Sequence, residues 1–123
     1  MTEARLTLGA WGEERAVEYL RCRGMKILEQ NFTTPVGEID IIARDRKNLV
    51  FVEVKTRRNQ AFGTPQEAVG LRKQRQISRT ACWYLQNHPC GKLQPRFDVI
   101  AILCQSGKDV QITHISDAFS LSD

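Results

Sequence analysis

Residues 37–58 read GEIDIIARDRKNLVFVEVKTRR, two runs of strand character joined by a short polar break. In the first run Ile39, Ile41 and Ala43 share one face, while Glu38, Asp40, Ile42 and Arg44 share the other. In the second, Val50, Val52 and Val54 lie opposite Phe51, Glu53, Lys55 and Arg57. The break, Asp45-Arg46-Lys47-Asn48, has the composition of a tight turn. A turn centred on Arg46-Lys47 sets Asp40 across from Glu53 on one face, and a loop one residue longer or shorter would separate them. Carboxylates so placed, about 5 Å apart at Cβ, repel unless something positive lies between them. Lys55 is one candidate and a divalent cation another, since Mg²⁺ favours one or two carboxylates with waters and phosphate oxygens. The plain alternative is a sheet face whose charges are merely solvated. The apolar flanks in VFVEVK argue instead for a central strand covered on both faces, where charge needs a reason.

The rest of the composition narrows the classes. A chain of 123 residues with 41% hydrophobic and 26% charged residues suits one globular domain, residues 1–123. No run is long enough to cross a membrane, and Met1-Thr2-Glu3 lacks the basic and apolar regions of a signal peptide. Cys22, Cys82, Cys90 and Cys104 form no CxxC pair, which argues against zinc and for reduced, mostly buried thiols in a cytoplasmic protein. A net charge of +4 permits a polyanionic partner without requiring one.

In chain order, residues Thr7 to Arg23 have helical periodicity, stopped by Gly24. Leu8, Gly12, Ala16, Val17, Tyr19 and Leu20 form the apolar face, and the small Gly9, Gly12 and Ala16 suit close approach to a sheet. Glu13 projects among Ala16, Val17 and Leu20, either inward or as a border carboxylate with its head in solvent. Met25 to Phe32 reads as a strand, followed by a Thr33–Gly37 loop and the hairpin. After an Asn59–Gly63 loop a second helix is expected from a Thr64 cap, with Pro65 and Glu67 in its first turn, to about Asn87. Its buried side is Val69, Ile77, Ala81, Tyr84 and Leu85. Arg72, Arg75, Gln76 and Arg79 form a basic outer side, a solvated face or a phosphate tracker. Lys73 lies between Val69 and Ile77 on the apolar side, where most lysines snorkel to the edge. Arg96 to Cys104 and Val110 to Ile115 read as strands joined by Ser106–Asp109, with a polar tail from Ser120. Asp98, a lone acid near the start of an apolar strand, serves the site or caps the preceding loop.

The order α-β-β-β-α-β-β predicts an antiparallel meander of three strands. A helical crossover leads to a fourth strand parallel to the one carrying Glu53, and a fifth returns as a hairpin. The fold class is α/β: a three-layer α/β/α core around a mixed five-stranded sheet. The first helix, with Glu13, is the expected cover for Asp40 and Glu53.

The acid in a GEID strand followed by E-V-K in the next resembles the PD-(D/E)xK nuclease superfamily with its restriction-endonuclease-like core. More closely, the chain is similar to the YraN-like (UPF0102) family of predicted endonucleases, related to archaeal Holliday-junction resolvases. The likeness spans nearly the whole chain through Gly9, Gly12-Glu13, Asn31-Phe32, Gly37-Glu38-Ile39-Asp40, Phe51 to Arg57, Phe62-Gly63, Lys73 and Arg96-Phe97-Asp98. Ile39 stands where the superfamily's proline would be. The resemblance implies that Asp40, Glu53 and the backbone carbonyl of Val54 bind Mg²⁺ or Mn²⁺. It also implies that Lys55 orients the attacking water or stabilises charge on the phosphate, and that Glu13 assists.

Arg57 and Arg58 follow the lysine and suit phosphates beside the scissile bond, with Lys73 a further phosphate contact. No aromatic ladder or recognition helix supports base reading, so DNA would be held through backbone and shape. The two histidines lie away from these acids, leaving no Ser/His/Asp arrangement to compete. The leading expectation is a metal-dependent endonuclease on DNA, including branched or damaged DNA, with a homodimer as in junction-cutting relatives. Its rivals are a non-catalytic nucleic-acid-binding or partner-docking module that keeps the fold, and a scaffold in which the acids form a structural ion pair with Lys55.

Overall fold

The computed structural model describes residues 7–59, 69–105, 107 and 109–121. Its elements are α1 (Leu8–Cys22), β1 (Lys26–Thr34), β2 (Gly37–Asp45), β3 (Asn48–Arg57), α2 (Leu71–Asn87), β4 (Gln94–Leu103) and β5 (Gln111–Phe119). The strands lie in the sheet in chain order, antiparallel except for the parallel β3–β4 pair. β3 is therefore central, as its unbroken apolar run requires. Helix-forming and strand-forming patterns fall in the expected order, and the two helices pack on opposite faces.

Between α1 and the sheet lie Ala16, Val17, Leu20, Ile41, Ala43, Val50, Val52, Ile100 and Ile102. Between α2 and the sheet lie Ile39, Ile42, Leu49, Phe51, Ile77, Ala81, Tyr84, Phe97 and Val99. Phe51 and Phe97 stack at 5.4 Å within this second layer, and Tyr84 meets Phe51 edge-on at 6.0 Å. None of the four cysteines is buried: Cys22 is exposed and the others half-exposed, contrary to the expectation of buried thiols.

Local chemistry sets the boundaries. Thr7 caps α1 by accepting from the Ala10 N–H at 3.1 Å. Gly24, with φ 87°, closes it as Met25 N–H donates to the Leu20 carbonyl at 3.0 Å. The β2–β3 turn has Arg46 in the left-handed region, φ 56°, as two-residue hairpin turns demand. The second helix differs from expectation. It begins at Leu71, with Gly70 extended at its N-cap, so Val69 and Gly70 interrupt the helix anticipated from Thr64. Glycine is among the poorest helix-interior residues, and here it serves as the entry instead. The Thr64 cap, Pro65, Glu67 and the Gln60–Gly63 part of the loop lie outside the described residues. So do Ser106 and Lys108 of the last turn, and Ser122 and Asp123 of the tail. β5 runs on to Phe119, past the expected Ile115, because Phe97 pairs with Phe119 across a bulge.

Candidate active site

The β2–β3 register is the one expected from a two-residue turn: Asp45 pairs with Asn48, Arg44 with Leu49, and Ile41 with Val52. The ladder ends there. At the next position the Asp40 carboxylate accepts the Val54 N–H at 2.8 Å, taking the place of a strand-to-strand bond. In a strand the N–H and C=O of one residue point the same way. The Val54 carbonyl therefore faces the same gap between β2 and β3. Alternation on β2 also breaks here, since Ile39 and Ile42 pack toward α2 while Ile41 and Ala43 pack toward α1. Opposite the break, between the pairs Gln30–Ile41 and Phe32–Ile39, Asn31 adopts φ 51°. Asparagine tolerates that conformation better than most residues.

Glu53 follows Phe51 on the α2 face of β3 and is only 5% exposed. Its carboxylate lies 3.3 Å from Lys55 Nζ and 3.7 Å from Lys73 Nζ. The covering helix is thus α2, not α1 as expected, because the parity of β3 sends Glu53 to the side opposite Val52. Lys73 does not snorkel away from the core but reaches the central acid. Burial, and then the Asp40 charge, push Glu53 up to about 7 despite both lysines. Burial likewise raises Asp40, opposed by the Val54 N–H and Lys73, with Glu53 in hydrogen-bonding reach. Both acids are thus raised above the ordinary carboxylate range, each mainly by desolvation.

Glu13 comes inward from α1 and is partly buried. Burial and then Asp40 raise its pKa, while Asn31 lies within hydrogen-bonding reach and opposes the shift. A Cβ on Gly12 would collide with the Thr56 side chain, so this glycine permits the helix approach that carries Glu13 to the acids. Glu38 is exposed and adds negative field to Asp40 and Glu13. Arg57 ends β3 half-buried, and Arg58 is exposed just beyond it. The structure therefore brings together Glu13, Asp40, Glu53, Val54, Lys55 and Lys73, with Arg57 and Arg58 at the same end of β3.

Asp98 belongs elsewhere. It is fully buried, receives paired bonds from Arg96 at 3.0 Å each, and lies 2.7 Å from His114 Nε2. The Asp117 N–H also donates to it at 3.0 Å. Burial would raise its pKa, but these bonds outweigh burial and hold it below the usual range. A carboxylate can only accept, so His114 carries its proton on Nε2, leaving Nδ1 for the Tyr19 hydroxyl 3.2 Å away. Neither of the two sequence readings of Asp98 stands: it anchors a buried network. A histidine does meet an acid, though not the candidate catalytic ones.

One residue beside the acids, Asn31, and one in the separate Asp98 network, His114, were not assigned a role from the sequence. Asn31 figured in the sequence only within the Asn31-Phe32 part of the family resemblance and as a polar residue inside a strand, and His114 gave no local sign. Among the described residues no three His, Cys, Asp or Glu side chains converge as a metal set. Two carboxylates with a backbone carbonyl still suit Mg²⁺ or Mn²⁺, which keep several waters. Desolvation raises the pKa of both Asp40 and Glu53, and the Asp40 charge raises Glu53 further, so this is a donor set whose charge a divalent ion would relieve.

A sequence model described as "Uncharacterised protein family UPF0102" matches residues 12–102. The chain belongs to the UPF0102 family. It is 55% identical over 121 residues to a UPF0102 protein of Syntrophotalea carbinolica, covering 98% of each chain. A UPF0102 protein of Syntrophomonas wolfei is 49% identical, over 91% of this chain and 96% of its own. One of Rhodococcus opacus is 46% identical, over 93% and 97%. The UPF0102 match spans every element that builds the site, from Gly12 on α1 through β4. No helix among the described residues is long and apolar enough to cross a membrane.

Proposed function

We propose that this UPF0102 protein is a metal-dependent endonuclease that hydrolyses DNA phosphodiester bonds, of the PD-(D/E)xK kind and akin to the junction resolvases. The observation that carries the reading is the Asp40–Glu53 pair, half-buried and buried respectively, both raised by desolvation and Glu53 further by the Asp40 charge, flanked by Lys55 and Lys73. Placing two acids together in a sheet interior costs stability, and such cost is characteristic of functional sites. Asp40, Glu53 and the Val54 carbonyl would hold Mg²⁺ or Mn²⁺. When bound, the ion supplies a lowered water pKa and neutralises phosphate charge. Lys55 stands beside Glu53 to orient the water and balance charge on the phosphate. Lys73 favours the ionised form of Glu53. Glu13, with its raised pKa, is placed to take a proton. Arg57 and Arg58 grip neighbouring phosphates.

A second reading has its own observation. The Glu53–Lys55 pair at 3.3 Å is a complete ion pair without metal, as in a non-catalytic module or scaffold. Incubation of supercoiled, nicked and four-way-junction DNA with Mg²⁺ or Mn²⁺ separates the readings. The wild type is expected to cut, and Asp40→Ala and Lys55→Ala are each expected to lose about 10²–10³-fold in rate. Equal residual cleavage by the variants would sink the assignment.

A further inference from the structure

Beside the acids a cleft of about 350 Å³ opens between the β1–β2 turn and α2, lined by Thr33 to Glu38 with Lys73 and Gln76. Its shape follows from the sequence. Gly37 has φ 150°, and a Cβ there would stand 2.8 Å from both Gln76 and Thr80, so glycine lets the turn press against the helix. Thr34 locks the turn, its hydroxyl donating to the Gly37 carbonyl at 2.9 Å and accepting from the Val36 N–H at 3.1 Å. Lys73 is common to both places: it lines the cleft and reaches Glu53.

Beyond Gln76 the helix surface turns basic. Arg72, Arg75 and Arg79 are exposed, on the side of α2 away from Ile77, Ala81 and Tyr84. From Leu71 to Asn87 the helix holds four cations and no carboxylate. Among the described residues no acid pairs with these three arginines, whereas Arg15 and Arg96 are paired with Glu18, Asp45 and Asp98. At 1.5 Å per residue the row spans roughly 10 Å, about three steps of one duplex strand.

We infer that the cleft and the Arg72–Arg75–Arg79 row form one seat for the phosphodiester backbone of duplex DNA, leading away from the phosphate at Glu53. The inference rests on the proposed nuclease reading for its direction and names the surface that holds the substrate. Duplex fits better than single strand. The row offers no aromatic for base stacking, and Trp83 is half-buried against Phe32.

The test is fluorescence anisotropy of a labelled duplex in EDTA over about 50–200 mM salt. Compared are the wild type, an Arg72→Gln/Arg75→Gln/Arg79→Gln variant, and an Arg44→Gln/Arg46→Gln/Lys47→Gln control at the far β2–β3 turn. All six positions are exposed, and melting curves verify folding. The α2 variant is expected to lose roughly 10²-fold in affinity, with a salt slope shallower by about three. The control should stay within a few-fold of wild type. Equal losses in the two variants, no duplex binding by the wild type, or tighter binding to single strands would each overturn the seat. Cleavage is scored separately: binding that follows the α2 row without any metal-dependent cutting removes the nuclease reading and leaves the seat.

Discussion

Glu53 carries the sharpest consequence of the site. Its folded pKa of about 7 lies above the ordinary 4.5, so the native state binds more protons than the unfolded chain between those values. The stabilisation is present below 4.5 and is lost as pH rises through about 7. Glu53→Gln should therefore stabilise the metal-free protein by on the order of 1–3 kcal/mol near pH 8, and hardly at all near pH 5. Thermal melts in EDTA at the two pH values check this; a pH-independent difference would contradict the buried pair. Mg²⁺ or Mn²⁺ should raise the melting temperature of the wild type above pH 7, but not that of Asp40→Asn, because the ion offsets the charge of two desolvated carboxylates.

The helices act on this site through close approach. α1 reaches β3 only because Gly12 leaves room for Thr56. Gly12→Ala is expected to destabilise by about 1–3 kcal/mol through overpacking, a loss that urea unfolding would read. It should also weaken any contribution of Glu13, since the helix must shift to relieve the collision. α2 works differently: its entry at Gly70 sets the turn on which Lys73 projects to Glu53. Lys73→Ala should raise the Glu53 pKa further, because a neighbouring cation is removed. An NMR titration of the carboxylates would show the midpoint above that of the wild type.

Two polar networks tie the molecule together with opposite pH dependence. The acid pair loses stability as pH rises, while Asp98, held below 3.8, contributes stability that disappears as pH falls through its folded value. The Asp98 network joins β4, β5, α1 and the β2–β3 turn through Arg96, His114, Tyr19 and Asp45. Asp98→Ala removes the buried acceptor of Arg96, His114 and the Asp117 N–H, leaving the half-buried Arg96 only Asp45, and is expected to cost about 3–5 kcal/mol. Denaturant melts measure the loss, and DNA binding per folded molecule should remain unchanged, because the network lies apart from the acids and the α2 row.

Much of this was already written in the order of residues. Strand alternation, the length of the Asp45–Asn48 turn and the helical periods are local, so the element order and the Asp40–Glu53 encounter followed from the chain alone. The expected helix start ahead of Val69 was not met, because the cost of Gly70 within a helix prevailed there and α2 begins at Leu71. Other features required distant parts of the chain to meet. Which helix covers Glu53, the reach of Lys73, the Asn31 irregularity beside Glu13, and the Asp98–His114–Tyr19 chain all depend on contacts between separate elements. Such contacts are set by the packing of two helices on a five-stranded sheet, and no local period encodes them. The sequence by itself put two acids and a lysine on one face of a central hairpin provided that its turn had two residues, the register that the structure has. Only the tertiary structure decided that burial would raise the pKa of both acids, since desolvation is a property of everything packed around them.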